Sequence, residues 1–363
     1  MAYAHDFAYR SRDPNPEQRA SADAAIKNAL SLQPDLPEVH LAYARHLYWG
    51  YRDYKRARVQ LAIARRGLPN NVEAILLGAL MDRRQGNFEK AIREFKEAMT
   101  RDPANQQSIV ELAITFFTTR QFAAAEQAFN RAIDLAPDQP MFKILKAYWV
   151  TFMKTGSTTA IGSAITTLPA SMADDLDVLS YQLICALNDR DWQLVKKLIE
   201  KMKGGDDDGF FSFASVPVPV DCYYILLARV QGEQSDTNAS LAETRDKLNQ
   251  KVRIFPEDAK LLSNLAVVDA LLGKKQDAIG EAKLAIEKRP TSEDALSGPR
   301  IIINLALVYA WTNESDLAFE TLGPLTRIPN GIYYGELKLN PRWDPLRNDP
   351  RFDKLLAELA PRD

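Results

Sequence analysis

Proline recurs at positions 34, 69, 103 and 137, at intervals of 35, 34 and 34 residues. A fixed period of this size is the mark of a repeated supersecondary unit. The residues twelve, eight and five places before each proline repeat as well. They are Ala22, Ile26 and Ala29, then Ala57, Leu61 and Ala64, then Ala91, Phe95 and Ala98, then Ala125, Phe129 and Ala132. Far downstream, Ala278, Ala282 and Ala285 stand in the same register before Pro290. Spacings of three and four place residues on one face of a helix. Alanine there lets two helices approach closely, and the larger residue fills the space beside them. Proline ends the segment because it cannot continue the helix.

Another helical stretch precedes each of these segments. The pattern predicts helices over 72–85, 108–120 and 258–272, with turns at Gly86-Asn87, Arg120-Gln121 and Gly273-Lys274. Each unit is therefore a helix–turn–helix of about 34 residues. Such a unit cannot bury its apolar faces alone, so the units must stack. The expected fold is all-α: a right-handed α-solenoid of about nine helix pairs with a distinct C-terminal cap. The length of 363 residues would otherwise suggest two or three globular domains. The period replaces that reading with one stack whose core grows repeat by repeat.

This is similar to the tetratricopeptide repeat (TPR) pattern. Leu77, Gly78, Gly86, Ala91, Phe95, Ala98 and Pro103 carry the resemblance in the clearest unit. Leu112, Ala113, Phe116, Ala125, Phe129, Ala132 and Pro137 carry it in the next. Leu265, Ala266, Gly273, Ala278, Ala285 and Pro290 carry it downstream. Sel-type helix pairs, with longer periods and different glycine placement, are the second reading. Two stretches also resemble the C-terminal TPR region of bacterial multidomain signalling proteins. They are Tyr48-Trp49-Gly50-Tyr51-Arg52-Asp53-Tyr54 with Ala57, and 337–352. In those proteins the repeats follow a serine/threonine kinase, a class III nucleotide cyclase or a winged-helix domain. The resemblance implies regulation or scaffolding, with an effector module encoded upstream, and a chain that is a fragment of something longer.

The expected organisation is an incomplete first repeat over 1–34 and regular units over 35–137. Weaker units follow over 138–257, with a glycine-, acid- and proline-rich loop at 204–219. Two further units occupy 258–330, separated by an insertion at 291–299. The cap occupies 331–363. Pro341, Pro345 and Pro350 exclude a long helix there, and 351–359 is a short final helix with Phe352, Leu355, Leu356 and Leu359 on one face.

Two sets of candidate binding residues follow. Lys260, Ser263, Asn264 and Val267 fall on one face of a first helix, as do Arg300, Ile303, Asn304 and Leu307. In both, a basic residue stands four before an asparagine. An asparagine amide can pair with both N–H and C=O of an extended peptide, and the cation can take a carboxylate. Lys260, Asn264, Arg300 and Asn304 are thus the expected peptide-binding residues. This resembles part of the arrangement in chaperone-associated TPR domains. The second set is basic: Arg45, Arg52, Lys55, Arg56, Arg58, Arg65 and Arg66 outnumber Glu38 and Asp53, with five aromatics interleaved. It suits an acidic partner or, as a weaker alternative, nucleic acid. The competing reading is a solvated helix face with the tyrosines packed between repeats.

Composition narrows the rest. Lys+Arg is 46 and Asp+Glu 48, so the chain is not a general nucleic-acid coat. His40 and His46 are six apart and do not share a helix face, so no metal is expected. Cys185 and Cys222 suit small core positions and a reducing, cytoplasmic setting. No run of about 18 apolar residues spans a membrane, and no catalytic motif is present. The sequence therefore reads as a scaffold or adaptor without enzymatic activity or cofactor. Its expected partner is a peptide or protein domain held on a groove.

Overall fold

The computed structural model describes residues 16–203, 222–223 and 237–361, and every regular element among them is helical. Seven complete helix pairs are described. The first is Pro37–His46, extended by Leu47–Tyr51, with Tyr54–Gly67. Next come Val72–Arg84 with Phe88–Arg101, and Gln106–Thr118 with Phe122–Leu135. Met141–Lys146, continued by Ala147–Phe152 and Met153–Thr155, pairs with Thr159–Ile165. Leu176–Asp189 pairs with Trp192–Lys203, Ala259–Leu271 with Lys275–Lys288, and Ser297–Trp311 with Ser315–Leu325. Pro16–Leu32 and Thr237–Ile254 hold second-helix positions. The expected loop at 204–219 lies outside the described residues. Within the weaker units, most of 220–236 also lies outside them, apart from the buried Cys222 and Tyr223.

The alanine seam is the core of each pair. Every seam residue named above is buried except Ala29, which is half-buried. The same alanines end the helices. The residue before each proline donates its N–H to the alanine carbonyl four back: Gln33 to Ala29, Leu68 to Ala64, Asp102 to Ala98, Ala136 to Ala132 and Arg289 to Ala285, at 2.9–3.1 Å. The proline that follows has no N–H to extend the ladder.

The turn inside each pair is equally regular. The backbone enters the left-handed region at Arg52, Gly86, Arg120, Gly156, Arg190, Gly273 and Asn313. Beside it a 6→1 bond closes the helix, as in Asn87 N–H to Asp82 O, Gln121 to Phe116 and Asp191 to Ala186, at 2.8–2.9 Å. The positions 52, 86 and 120 are 34 apart, and so are 156 and 190. The helix-pair register thus continues through the stretch where the sequence pattern weakens.

The chain divides into two compact units, Met1–Thr115 and Phe116–Asp363. In the first, ion pairs join successive helix pairs: Arg45 to Glu73, Arg58 to Asp82, and Arg83 to Glu111. Arg65 reaches Glu94 and the carbonyls of Ala74 and Ile75 across Gly78, where a β-carbon would collide with its guanidinium. In the second unit, the insertion before the last pair is shorter than expected, because Ser297–Pro299 already form the first turn of their helix.

Beyond Leu325 the chain does more than cover the last repeat. Tyr334–Lys338, the 3-10 turn Pro341–Leu346 and Pro350–Leu359 follow, tied by caps from Asn340 and Asp349. The segment 326–347 runs against the inter-helix turns of earlier pairs. Asn330 N–H donates to Thr118 O at 3.0 Å, and Arg190 holds Asp344 through two bonds of 2.7 and 2.8 Å. Gly335 lies on the backbone of Phe152 and Met153, with no room for a β-carbon. The expected cap is, in this unit, a strap.

Candidate functional site

Two arginines at left-handed turn positions grip the strap. A non-glycine residue there costs about 1–2 kcal/mol, and glycine occupies the same place at 86, 156 and 273. Arg120 returns that cost through its guanidinium. Its Nη2 donates to Ile332 O at 2.8 Å and lies near Leu325 O at 3.5 Å. The cation sits 4.5 Å from the ring centre of Tyr333. Tyr333 is fully buried and stacks on Phe117, with ring centroids 4.4 Å apart. Burial pushes the Tyr333 hydroxyl well above the usual phenol range, so it stays neutral.

Next to it lies a buried carboxylate. Glu336 accepts from Arg300 and from Arg342, and caps the Tyr333 N–H at 3.2 Å. Arg300 also donates to Gly331 O at 2.9 Å. Trp311 Nε1 donates to Arg342 O at 2.9 Å, fastening the strap to the last first-helix.

Between strap, turn and final helix opens a cleft of about 420 Å³. Arg120, Phe122, Lys154, Tyr334, Thr326 and Glu358 line it. Glu358 is already engaged, by the Thr326 hydroxyl at 2.9 Å and Arg327 at 3.0 Å, which hold its carboxyl below the usual range. Arg120 makes no direct ion pair among the described residues, although the Glu336 carboxylate acts on it at a distance. Burial lowers the pKa of its guanidinium, and its Nε is buried without an acceptor.

The residues expected to hold a peptide lie elsewhere. Asn264 and Asn304 are 1% and 2% exposed, and Ser263, Val267, Ile303 and Leu307 are buried with them. Asn304 Nδ2 donates to Ser263 Oγ at 2.7 Å, joining two successive first helices. Arg300 is spent on Glu336, and Lys260 alone of the four is exposed. The expected open face is therefore corrected to an interhelical contact. Its helices are apolar on every side, as in Leu261-Leu262 and Ile301-Ile302-Ile303, and such helices are enclosed rather than half-solvated.

The basic stretch is dispersed. Arg45, Arg56, Arg58 and Arg65 face Glu73, Asp53, Asp82 and Glu94. Arg52 lies over the rings of Tyr48 and Trp49, which pack edge to face. Lys55 and Arg66 are exposed. His40 bonds Gln60 and Pro34 O, and His46 bonds Asp23. Among the described residues no helix is long and apolar enough to cross a membrane.

Residues 83–147 match the tetratricopeptide repeat family. That segment carries tetratricopeptide repeats. Yeast Tom70 has the same fold, with a TM-score of 0.51 at 13% identity, covering 87% of this chain and 64% of that one. PilF from Pseudomonas aeruginosa is similar at 15% identity and TM-score 0.41, covering 56% of this chain and 90% of that one. Cut9 of the APC/C hetero-tetramer with Hcn1 is similar at 15% and 0.46, over 98% of this chain and 54% of that one. The chain thus spans under two thirds of the Tom70 and Cut9 chains. No curated protein matches the sequence. Arg120, inside the matched segment, and Arg190, beyond it, take the turn position that Gly86 takes. That substitution was readable in the sequence. The partner of each arginine, Ile332 and Asp344, was not.

Proposed function

We propose that this chain is a non-catalytic interaction scaffold that binds a peptide or protein domain. One observation carries the reading: the repeat residues are consumed by helix-to-helix packing, and the open cleft beside the strap is lined by side chains that suit recognition. The TPR match supports a protein-interaction role in general. Binding would draw on groove charge and shallow apolar contact. Nucleic-acid binding through residues 38–68 is the weaker reading, since most of that charge meets carboxylates within the same unit.

A second reading, a regulatory part of a bacterial signalling protein, rests on the resemblance of 337–352. That stretch contains the second half of the strap, with the Asp344 that Arg190 holds. An effector reading frame fused or adjacent upstream in the source genome is the expected finding.

The scaffold reading is tested by immobilising the full chain, identifying retained proteins, and titrating each in purified form. Saturable one-to-one binding is expected. Failure of every retained protein to bind saturably would remove the scaffold reading.

A further inference from the structure

Among the described residues that line the cleft beside the strap, Arg120 and Lys154 bring two cations and Glu358 the one carboxylate. Arg120 lines it with a guanidinium whose partners are carbonyl oxygens and an aromatic ring. Lys154, from the end of the next first helix, lines it too and forms no ion pair among the described residues. The carboxylates nearby are committed: Glu336 to Arg300 and Arg342, Glu358 to Thr326 and Arg327. Arg120 feels one buried carboxylate, Glu336, which Arg300 and Arg342 already hold, so the half-buried cation is poorly compensated and a carboxylate brought by a ligand recovers that cost. Phe122 and Tyr334 offer flat apolar surface beside the two cations. The volume, about 420 Å³, suits a short stretch of side chains rather than a whole helix.

We propose that this cleft binds an acidic peptide segment of a partner protein, with a Glu or Asp carboxylate seated between Arg120 and Lys154. The proposal rests on the scaffold reading and gives it a place. The site is built by residues from three regions: the turn at Arg120, the helix end at Lys154, and the strap at Tyr333 and Tyr334. It is therefore complete only when the strap is docked, so recognition and strap docking support each other.

The test uses the full chain and a fluorescein-labelled, amidated (Glu-Gly)4 peptide, read by anisotropy at low ionic strength and again near 0.15 M salt. Saturable binding is expected, at least tenfold weaker for (Gln-Gly)4. Lys154→Glu is expected to weaken (Glu-Gly)4 binding at least tenfold with an unchanged melting temperature. The double variant Lys55→Glu/Arg66→Glu, on the exposed basic stretch, is expected to bind as wild type. Lack of saturable binding, equal affinity for the glutamine peptide, or indifference to Lys154→Glu would each overturn the proposal. So would loss of binding in the Lys55/Arg66 variant alone, which would place the peptide on that stretch. A captured partner that binds Lys154→Glu as well as wild type would sink the cleft and leave the scaffold standing.

Discussion

Arg120 donates to the carbonyl oxygen of Ile332 at 2.8 Å, across 212 residues of sequence. It does so from a left-handed backbone position, φ 60°, that glycine would occupy at lower cost. The two facts are linked, because glycine has no side chain with which to hold the strap. Strain kept at one residue and offset by its contacts is a reason to test that residue.

Arg120→Ala removes the bonds to the strap and keeps the unfavourable backbone. Arg120→Gly removes the bonds and relieves the backbone. The expected order of stability is wild type, then Gly, then Ala. The Gly–Ala gap is about 1 kcal/mol, and the loss from wild type to Ala about 2–4 kcal/mol. Urea melts followed by circular dichroism check the order. A glycine variant less stable than the alanine one would show that the turn carries no strain.

Tyr333 packs its ring on Phe117, while its hydroxyl lies 3.4 Å from the carbonyls of Phe117 and Thr118. Bonds of that length are weak. Tyr333→Phe should therefore cost under about 1 kcal/mol, and Tyr333→Ala about 3–5 kcal/mol through the cavity it leaves. Gly335→Ala, which drives a methyl into the Phe152 carbonyl, should cost about 1–3 kcal/mol. Hydrogen exchange at the Asn330 amide, bonded to Thr118 O, should speed up in the Tyr333→Ala and Gly335→Ala variants.

Glu281 makes stability fall with rising pH. Burial, then the charge of Asp269, push its carboxyl from 4.5 up to about 8; Arg245 opposes, Asp277 adds and Lys274 opposes. Its Oε2 is buried without a hydrogen-bond partner among the described residues. Between pH 4.5 and 8 the folded chain holds a proton that the unfolded chain has lost, so this contribution is full below 4.5 and lost as pH rises through 8. Glu281→Gln should flatten that slope in melting temperatures taken from pH 5 to pH 8. An unchanged slope in the variant would show that another group is responsible.

Asn304 is expected to behave as a structural residue. Asn304→Ala strands the buried Ser263 hydroxyl and should cost about 1–3 kcal/mol. Its effect on (Glu-Gly)4 affinity, measured below the melting transition, should stay within twofold. Loss of affinity with an unchanged melting temperature would restore the asparagine to a ligand-facing role.

The periodic prolines and the alanine seam carried the all-helical, paired architecture, because both act within one helix or between neighbours in sequence. Helix termination before Pro69, Pro103 and Pro137 is local chemistry: a missing N–H on the proline, after a last bond to the alanine carbonyl. Even the insertion before the last pair was legible to within a few residues. The faces of Asn264 and Asn304 were misplaced because helical spacing sorts residues into faces without saying what covers each face. The all-round apolar character of their helices was the missed signal. The strap lay beyond sequence altogether. Its path depends on Arg120 meeting Ile332, Arg190 meeting Asp344 and Gly335 meeting Phe152. Those contacts join residues more than 150 positions apart, where no period or motif ties one end to the other. The sequence by itself determined that helices pair and stack. Tertiary packing decided which turn arginines hold the C-terminal segment, and hence where a cleft lined by Arg120 and Lys154 opens.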